Sequence, residues 1–588
     1  MPFEPENPRD IKKLRDAIDA AEQQLRPART VRMDCLKQYV GHDYSPGSSA
    51  AADVPVNLAH LFVSIHLRHL ASARPAYNVE THYADLRQNA FALGLSLNHL
   101  VEEIDLVHAL QLVALDALCG PMGVCKVGKS VTTAGTTSLH DKGQPFADHV
   151  LFENFGFDTA ATTYPAATYA YDRYRLPLEF VKDSGVYENT DGLLPSDRSE
   201  SVLNADHATR TEHLFDEPTP VRESFKELVD LRDVWLREEN LIVTLPVQSS
   251  LGGRVLRIAE WDGPERGPYK MFGLNSVPGN ILPVSPLSLL MPMHRAANDG
   301  YNKLFDQIDR QKSVLLGQAD DEDTVSAIRK LSDGEVFIGR GVGNSREARF
   351  GGPDQMLLGS LIHIKQLFSY FAGNLDLTGG LGSSEETFGQ TRLLNASASG
   401  QLKWYQDRMA EFARDVGQSL AFYLFYGDRK FEFDYEIEDT GGMTIPVVFD
   451  PAQAEGDFLQ YNFSIEPHSL QSRSPSEKMG LLNQLMTQVL LQLEASGAMA
   501  QNGVSINIKE YLHLMARYEN LPELRRLITD VGSGGPLEDS KPITSRGVKS
   551  PNIAANRTSQ RNPQSQETQM MTALLQGSMN GNGQGGVG

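Results

Sequence analysis

Long apolar runs are what this 588-residue chain most lacks. No stretch reaches the roughly 18 consecutive apolar residues of a membrane-spanning helix, the longest candidate being Leu420 to Tyr426, so no membrane insertion is predicted. Cysteine is scarce: Cys35, Cys119 and Cys125 are odd in number and scattered, which argues against a disulfide framework and fits a reducing compartment. Met1 to Asp10 has neither the basic start nor the apolar block of a secretory signal, which predicts a chain that stays where it is made. Basic charge is in deficit as well. The 54 Lys and Arg against 75 Asp and Glu leave −21, which disfavours gripping nucleic acid by phosphate neutralisation but leaves room for a surface that nucleic acid slides past. Aromatic residues are missing beyond Val531. The tail 531–588, rich in Gly, Ser, Asn, Gln and Pro, cannot bury enough surface to offset its ordering entropy and is predicted to be disordered, with Gln569 to Leu575 as a patch that folds on a partner.

What is present is ordinary for folded protein, 40% hydrophobic and 22% charged, and the length calls for three to five packing units or one elongated body. Asn7 and Pro8 start a helix with Ile11, Leu14, Ile18, Ala21 and Leu25 on one side, and Val31 to Val40 reads as a second segment. Val56 to about Ala73 and about Ala84 to Leu118 read as further helices, the last broken by Gly120-Pro121. From Val124 to about Arg175 the period drops to two, Lys182 to Pro220 reads as a polar surface insertion, and Phe225 to Trp235 and Leu241 to Trp261 read as β-structure with a turn at Leu251 to Arg254. Ser285-Pro286 starts a helix whose stripe runs Ala297, Tyr301, Leu304, Phe305, Ile308 and Leu315. A small α/β insert follows, then a helix from about Asp354 to Phe371 carrying Leu357, Leu361, Ile364, Phe368 and Phe371. Beyond a glycine-rich loop the longest helix bears Leu394, Ala398, Leu402, Tyr405, Met409, Phe412, Val416, Leu420 and Tyr423 on one side. Phe431 to Ile437 and Thr444 to Phe449 read as strands, and helices are expected from Ser474 to Leu493 and between Ser505 and Ile528. The order predicts an α+β chain, mainly helical.

Among motifs, Gly123 to Ser130 satisfies the phosphate-loop pattern letter by letter, which taken literally makes an NTPase. Such a loop needs a strand before it and a helix after it, so that backbone amides and a helix N-terminus hold the phosphates. Here a helix precedes the glycines and Val124 to Val131 alternates like a strand, so a strand with incidental glycines is the favoured reading. Gly339, Gly341 and Gly343 fit a loop better than a dinucleotide turn, and Asp320 to Asp323 fit a helix N-terminus better than a cation site. His60, His66 and His69 fall on a helix where only the last two share a side. No catalytic constellation emerges, and neither cofactor nor metal is expected.

The order of parts is more specific than any one motif. The opening helices, the helix-to-strand break at Gly120 to Val127 and Glu260 to Pro264 leading to Gly267-Pro268-Tyr269 come first. Pro278-Gly279, Pro283 to Leu290 running into a helix through Asn298, the helix–tip–helix unit, the glycine-rich loop and the long helix from Glu386 follow. In this order, from Ile11 to about Ile528, the chain resembles the portal proteins, or head-to-tail connectors, of tailed bacteriophages. The resemblance implies an elongated, non-enzymatic subunit with wing, stem, clip and crown regions that assembles into a ring, usually of twelve copies, at one capsid vertex of the virion after assembly in the host cytoplasm. By it, 1–284, with its polar insertion at about 182–220, is the N-terminal wing, 285–316 and 353–377 are the stem helices, and 317–352 is the clip. Residues 378–387 are the tunnel loop, 388–468 the long helix and the C-terminal part of the wing, and 469–530 the helical crown. Implied partners are double-stranded DNA in the channel, terminase, a tail adaptor, the major capsid protein and scaffolding or internal ejection proteins.

The loop so identified is Thr378, Gly379, Gly380, Leu381, Gly382, Ser383, Ser384, Glu385 and Glu386, the last two being candidates for acidic collars. Lys303, Arg310 and Lys312 are candidates for basic collars in the channel, and Arg340, Arg346 and Arg349 for clip contacts with acidic partners. The same side chains also read as solvated helix surface or inter-subunit ion pairs. Twelve helices about 10 Å across, side by side, enclose a bore of roughly 28 Å, wide enough for a duplex. Such a ring carries on the order of −250 formal charges, a wall against which DNA slides. The ring reading expects neighbouring copies to cover apolar flanks at Leu357, Phe368 and Met409. The alternative is an ATP-driven packaging or remodelling motor built on Gly123 to Ser130.

Overall fold

The computed structural model describes residues 7–41, 56–130, 143–195, 226–247, 254–309, 312–316, 346–350, 354–375, 388–427, 430–436, 444–465 and 469–470, all within the unit Met1–Ser474. It is a mixed α/β structure, about half of the described residues being helical, with several antiparallel sheets.

Helix α1, Pro8–Val40, begins as its sequence dictates: the Asn7 side chain accepts the Arg9 N–H at 3.1 Å and proline takes the first turn. The expected break before Val31 does not occur. Pro27 lies inside one continuous helix, because the buried row Ile11, Leu14, Ile18, Ala21, Leu25, Arg32 and Cys35 carries on past it. Gln23, whose carbonyl loses its helical partner to Pro27, is an exposed residue. Helix α2, Leu58–Leu70, is followed by strand β1, Tyr77–Thr81. The single long helix expected next is two, α3 (Arg87–Glu103) and α4 (Leu106–Cys119), separated at Asp105, which adopts a left-handed backbone with φ of 48°. Asp is among the few residues that tolerate that conformation.

Two sheets form the β-part of the body. Strands β2 (Gly123–Lys129) and β3 (Pro145–Val150) pair, and β2 is central in the order β3-β2-β9, β9 being Tyr269–Phe272. The larger sheet runs β4 (Phe155–Phe157), β5 (Tyr169–Pro177), β6 (Leu228–Leu236), β7 (Leu241–Pro246) and β8 (Arg257–Glu260), all antiparallel neighbours. α1 covers one face of it, with Ile11, Leu14 and Ile18 against Tyr169, Tyr171, Val234, Leu236, Val243 and Leu245. Short helix α5, Leu178–Asp183, follows β5. The start of the polar insertion is packed: Leu193 is buried and the Glu188 N–H donates to the Leu256 carbonyl at 2.6 Å. The remainder, 196–225, lies outside the described residues, as do the crown helices, the tail and most of the clip.

The hairpin β10 (Asn275–Val277) and β11 (Asn280–Val284) turns at Gly279, whose φ of 75° suits glycine, and leads into α6, Pro286–Asp309. The Ser285 hydroxyl accepts the Ser288 N–H and donates to the Leu118 carbonyl, fixing the start of α6 on α4. The first stem helix was expected to reach 316. It ends at Asp309, and β12, Lys312–Leu316, pairs with β13, Arg346–Phe350. Leu315 continues a helical spacing by coincidence; pairing with Arg346–Phe350 decides its state.

Helix α7, Gln355–Phe371, packs on α6, with Gly300 lying where any Cβ would be 2.5 Å from Leu361 Cδ2. Helix α8, Phe388–Phe425, crosses α2, α3, β2, β3 and β9 and buries Tyr405, Met409, Phe412, Val416, Leu420 and Tyr423, the expected row. Strands β14 (Phe431–Glu436) and β15 (Thr444–Phe449) form a two-stranded sheet, and β16 (Tyr461–Ile465) pairs with β1. Phe368 and Met409 belong to this chain's own main core. That corrects the expectation that neighbouring copies cover them.

Candidate functional site

The expected channel and clip residues are only partly placed. Thr378 to Glu386, Arg310 and Arg340 lie outside the described residues. Lys303 is exposed on α6. Lys312 sits on a strand instead of a stem helix, opposite Phe350, while Arg346 and Arg349 lie opposite Leu316 and Ser313. The ladder thus brings Lys312, Arg346 and Arg349 onto one two-stranded sheet at the far ends of α6 and α7.

Gly123 to Ser130 shows why its glycines are there. The segment is the central strand β2, paired with β3 on one side and β9 on the other, so its backbone amides are committed to ladders. A Cβ on Gly123 would lie 2.0 Å from the Val113 carbonyl oxygen, and one on Gly128 would lie 3.1 Å from the Phe146 ring. Close packing against α4 and Phe146 therefore selects both glycines. The Ser130 N–H donates to the Gln144 carbonyl at 2.9 Å. Lys126, at one of the motif's variable positions, sends its Nζ to Asp172 at 2.7 Å and Asp233 at 3.3 Å in the other sheet.

Those two carboxylates face each other across the β5–β6 ladder. Tyr269 donates to Asp172, and Tyr174 and Thr244 donate to Asp233 at 2.9 and 2.7 Å. Burial disfavours the Lys126 charge, but the two aspartates outweigh it and hold the ammonium above its ordinary range. Burial also pushes Asp172 above the usual carboxyl range, whereas for Asp233 Lys126 and the hydroxyl donors prevail and hold it below. A second network joins four elements: the Arg32 guanidinium binds Asp116 and Glu153, and His149 Nε2 meets the other Asp116 oxygen at 2.7 Å. Here too burial opposes the charge of Asp116 and Arg32 overcomes it. On the α1 side of the sheet Glu22 Oε1 accepts from Arg232 at 2.6 Å and Tyr171 at 3.3 Å, with Arg173 3.9 Å away. Sequence reasoning missed all three networks. Two of them left a signal in the charges spaced between apolar residues along β5 and β6, whereas the Arg32 network, drawn from other elements, left none there.

The helix histidines are core residues at one position and surface residues at another. His66 is buried against Phe62 and Tyr405, its Nδ1 3.0 Å from the Phe62 carbonyl, and burial holds its imidazole down at about 4. His60 stacks on Tyr39. All three cysteines are buried, and burial pushes the Cys35 thiol up to about 12. Among the described residues no three His, Cys, Asp or Glu side chains form a metal-ligand group, and no helix is long and apolar enough to cross a membrane.

The feature that the fold leaves unresolved is α7. Lys365 is its one charged residue among Gln355–Phe371, yet the helix buries only Leu361, Phe368 and Ser369. Met356 is 81% exposed and Tyr370 65%, and Leu358, Ile362, Leu367 and Phe371 are exposed as well. On α6, Phe305 and Ile308 carry the apolar stripe beyond the body into solvent. Such a concentration of exposed apolar side chains on one helix is the kind of surface that interaction sites carry. Neither a protein-family model nor a curated protein sequence matches the chain.

Proposed function

We propose that this chain is the subunit of a portal ring, the head-to-tail connector of a tailed bacteriophage. Copies of it, usually twelve, would surround a channel for packaging and ejecting double-stranded DNA at one capsid vertex. The observation that carries this reading is α7: an almost uncharged helix, paired with α6 and joined to it through the β12–β13 sheet, stays wet in a single chain. Side-by-side copies would remove that surface from water. The β12–β13 end would belong to the clip, which meets terminase and later the tail adaptor, and 378–387 would be the loop beside DNA. The net charge of −21 per chain suits a wall that DNA passes without adhering. Wing and stem rigidity would come from the buried ion networks and from α8.

The reading is tested by light scattering of the purified chain over a range of concentrations, together with ATP calorimetry. The expected result is a discrete mass of about twelve chains and no heat of ATP binding. A monomer at every concentration contradicts it, and micromolar ATP binding abolished by Lys129→Ala supports the motor instead.

A further inference from the structure

We infer that Lys126 and Asp172 become joined by an amide bond between their side chains, with Asp233 as the carboxylate that takes up and returns the protons, so that a covalent cross-link ties the two sheets together. The three side chains already stand in reacting order. Lys126 Nζ lies 2.7 Å from Asp172 Oδ1 and 3.3 Å from Asp233 Oδ2. A C=O bond adds only about 1.2 Å, so the Asp172 carboxyl carbon is within about 4 Å of the nitrogen that would attack it. The neighbouring hydroxyls leave those atoms available. Tyr269 donates to Asp172 Oδ1, while Tyr174 and Thr244 both donate to Asp233 Oδ1, which leaves Oδ2 of Asp233 to Lys126. Little water reaches the site. The side chains of Lys126, Asp172 and Asp233 are 12%, 2% and 13% exposed, and the rings of Tyr174 and Tyr269 are centred 5.5 and 5.9 Å from Nζ.

The two carboxyl groups around this one ammonium differ in state. Burial pushes Asp172 above the usual carboxyl range, which favours the neutral acid, whereas Lys126 and the Thr244 hydroxyl hold Asp233 below it against burial. At equilibrium the ammonium prevails, because the two aspartates outweigh its burial. The reacting amine is therefore a minor form, reached when one Lys126 proton passes to Asp233, and a low-dielectric site disfavours that neutral arrangement less than water does. The nitrogen lone pair then forms a bond to the Asp172 carboxyl carbon, and Tyr269 donates to the oxygen on which charge develops. Asp233 returns its proton to the other oxygen, the C–O bond breaks, water leaves, and Asp233 takes the remaining amine proton. One ammonium, one carboxylic acid and one carboxylate thus become one amide, one water and one carboxylic acid, with no change of net charge or oxidation state and no co-reactant. Fixed proximity replaces chemical activation of the acid, since groups held in contact react at effective concentrations far above those of free amine and acid. The product also removes an ammonium and a carboxylate from the interior, the charges that burial penalises. The bond would tie β2 of the three-stranded sheet to β5 of the five-stranded one. None of this depends on the ring reading.

The test is the intact mass of the purified full-length chain, followed by digestion and tandem mass spectrometry. The mass is expected to fall below the sequence mass by one water, and the digest to hold a branched species joining the peptides of Lys126 and Asp172. Lys126→Arg keeps a cation beside the aspartates but has no nucleophilic amine, so it is expected to restore the full sequence mass, as is Asp172→Ala. Asp233→Ala keeps both bonding partners and is expected to leave most of the chain unlinked. A full sequence mass in the wild-type chain, fresh and after prolonged incubation, overturns the inference and leaves the triad an ion network only. So does a water lost equally by Lys126→Arg, since an aspartyl-glycine pair such as Asp191-Gly192 closes to a succinimide without any lysine. Linkage in Asp233→Ala as complete as in wild type would overturn the part given to Asp233. Should a variant fail to fold, the presence or absence of the branched peptide in the wild-type digest decides alone.

Discussion

Buried charge is the costliest material in this fold, and single residues decide whether it is tolerated. Lys126 is the ammonium shared by two aspartates that lie opposite each other across the β5–β6 ladder. Lys126→Met removes the ammonium they share and is expected to lower stability by about 3–5 kcal/mol. Adding Asp172→Asn and Asp233→Asn should recover most of that loss, since the hydroxyl donors then meet neutral acceptors. Denaturant midpoints check both steps, and a Lys126→Met midpoint equal to wild type contradicts the network's role. Acid sensitivity has a separate source. Burial holds His66 and His294 at about 4, below the ordinary histidine value of 6.5, so the unfolded chain takes up protons first. Their contribution is complete above pH 6.5 and is lost as pH falls toward 4, at about 1.4 kcal/mol per pH unit for each histidine. Asp116 and Asp233, held below the usual range, add their loss only under about pH 4, while Asp172, held above it, works in the opposite sense. A His66→Gln variant with an unchanged slope between pH 6.5 and 4 would contradict this assignment.

At the scale of elements, glycines mark where backbones meet. A Cβ on Gly417 of α8 would lie 2.0 Å from the Tyr77 ring, whose hydroxyl donates to the Ala413 carbonyl at 2.8 Å. Gly417→Ala should therefore push β1 off α8 and cost about 2–4 kcal/mol by overpacking, despite alanine's better helix propensity. A thermal melt at or above wild type would show that the contact yields freely. Helices with a cap and a long stripe were legible: Asn7-Pro8 opens α1, Ser285-Pro286 opens α6, and the buried row of α8 follows the spacing from Tyr405 to Tyr423. What was not legible depended on partners distant in sequence. Packing of α1 overrides Pro27, a left-handed Asp105 divides α3 from α4, and β12 is a strand because 346–350 lies beside it. The same holds for the networks, in which Arg32 meets Asp116 and Glu153 far along the chain. Of the candidate site, the exposed stripe on α7 was foreseeable from its composition. Which of its leucines and phenylalanines face inward needed the position of α6 and the body.

For the whole molecule, the densest run of exposed large apolar side chains among the described residues lies along α7 and the end of α6. On the proposed ring reading, a neighbouring copy covers that run. The measurement that bears most directly on this is a class average of the assembled particles viewed down their symmetry axis. The account predicts a closed annulus, about twelve-fold, around a hole of roughly 28 Å, with helices side by side at its rim. Compact particles of one chain with no central opening, at any protein concentration, would contradict it.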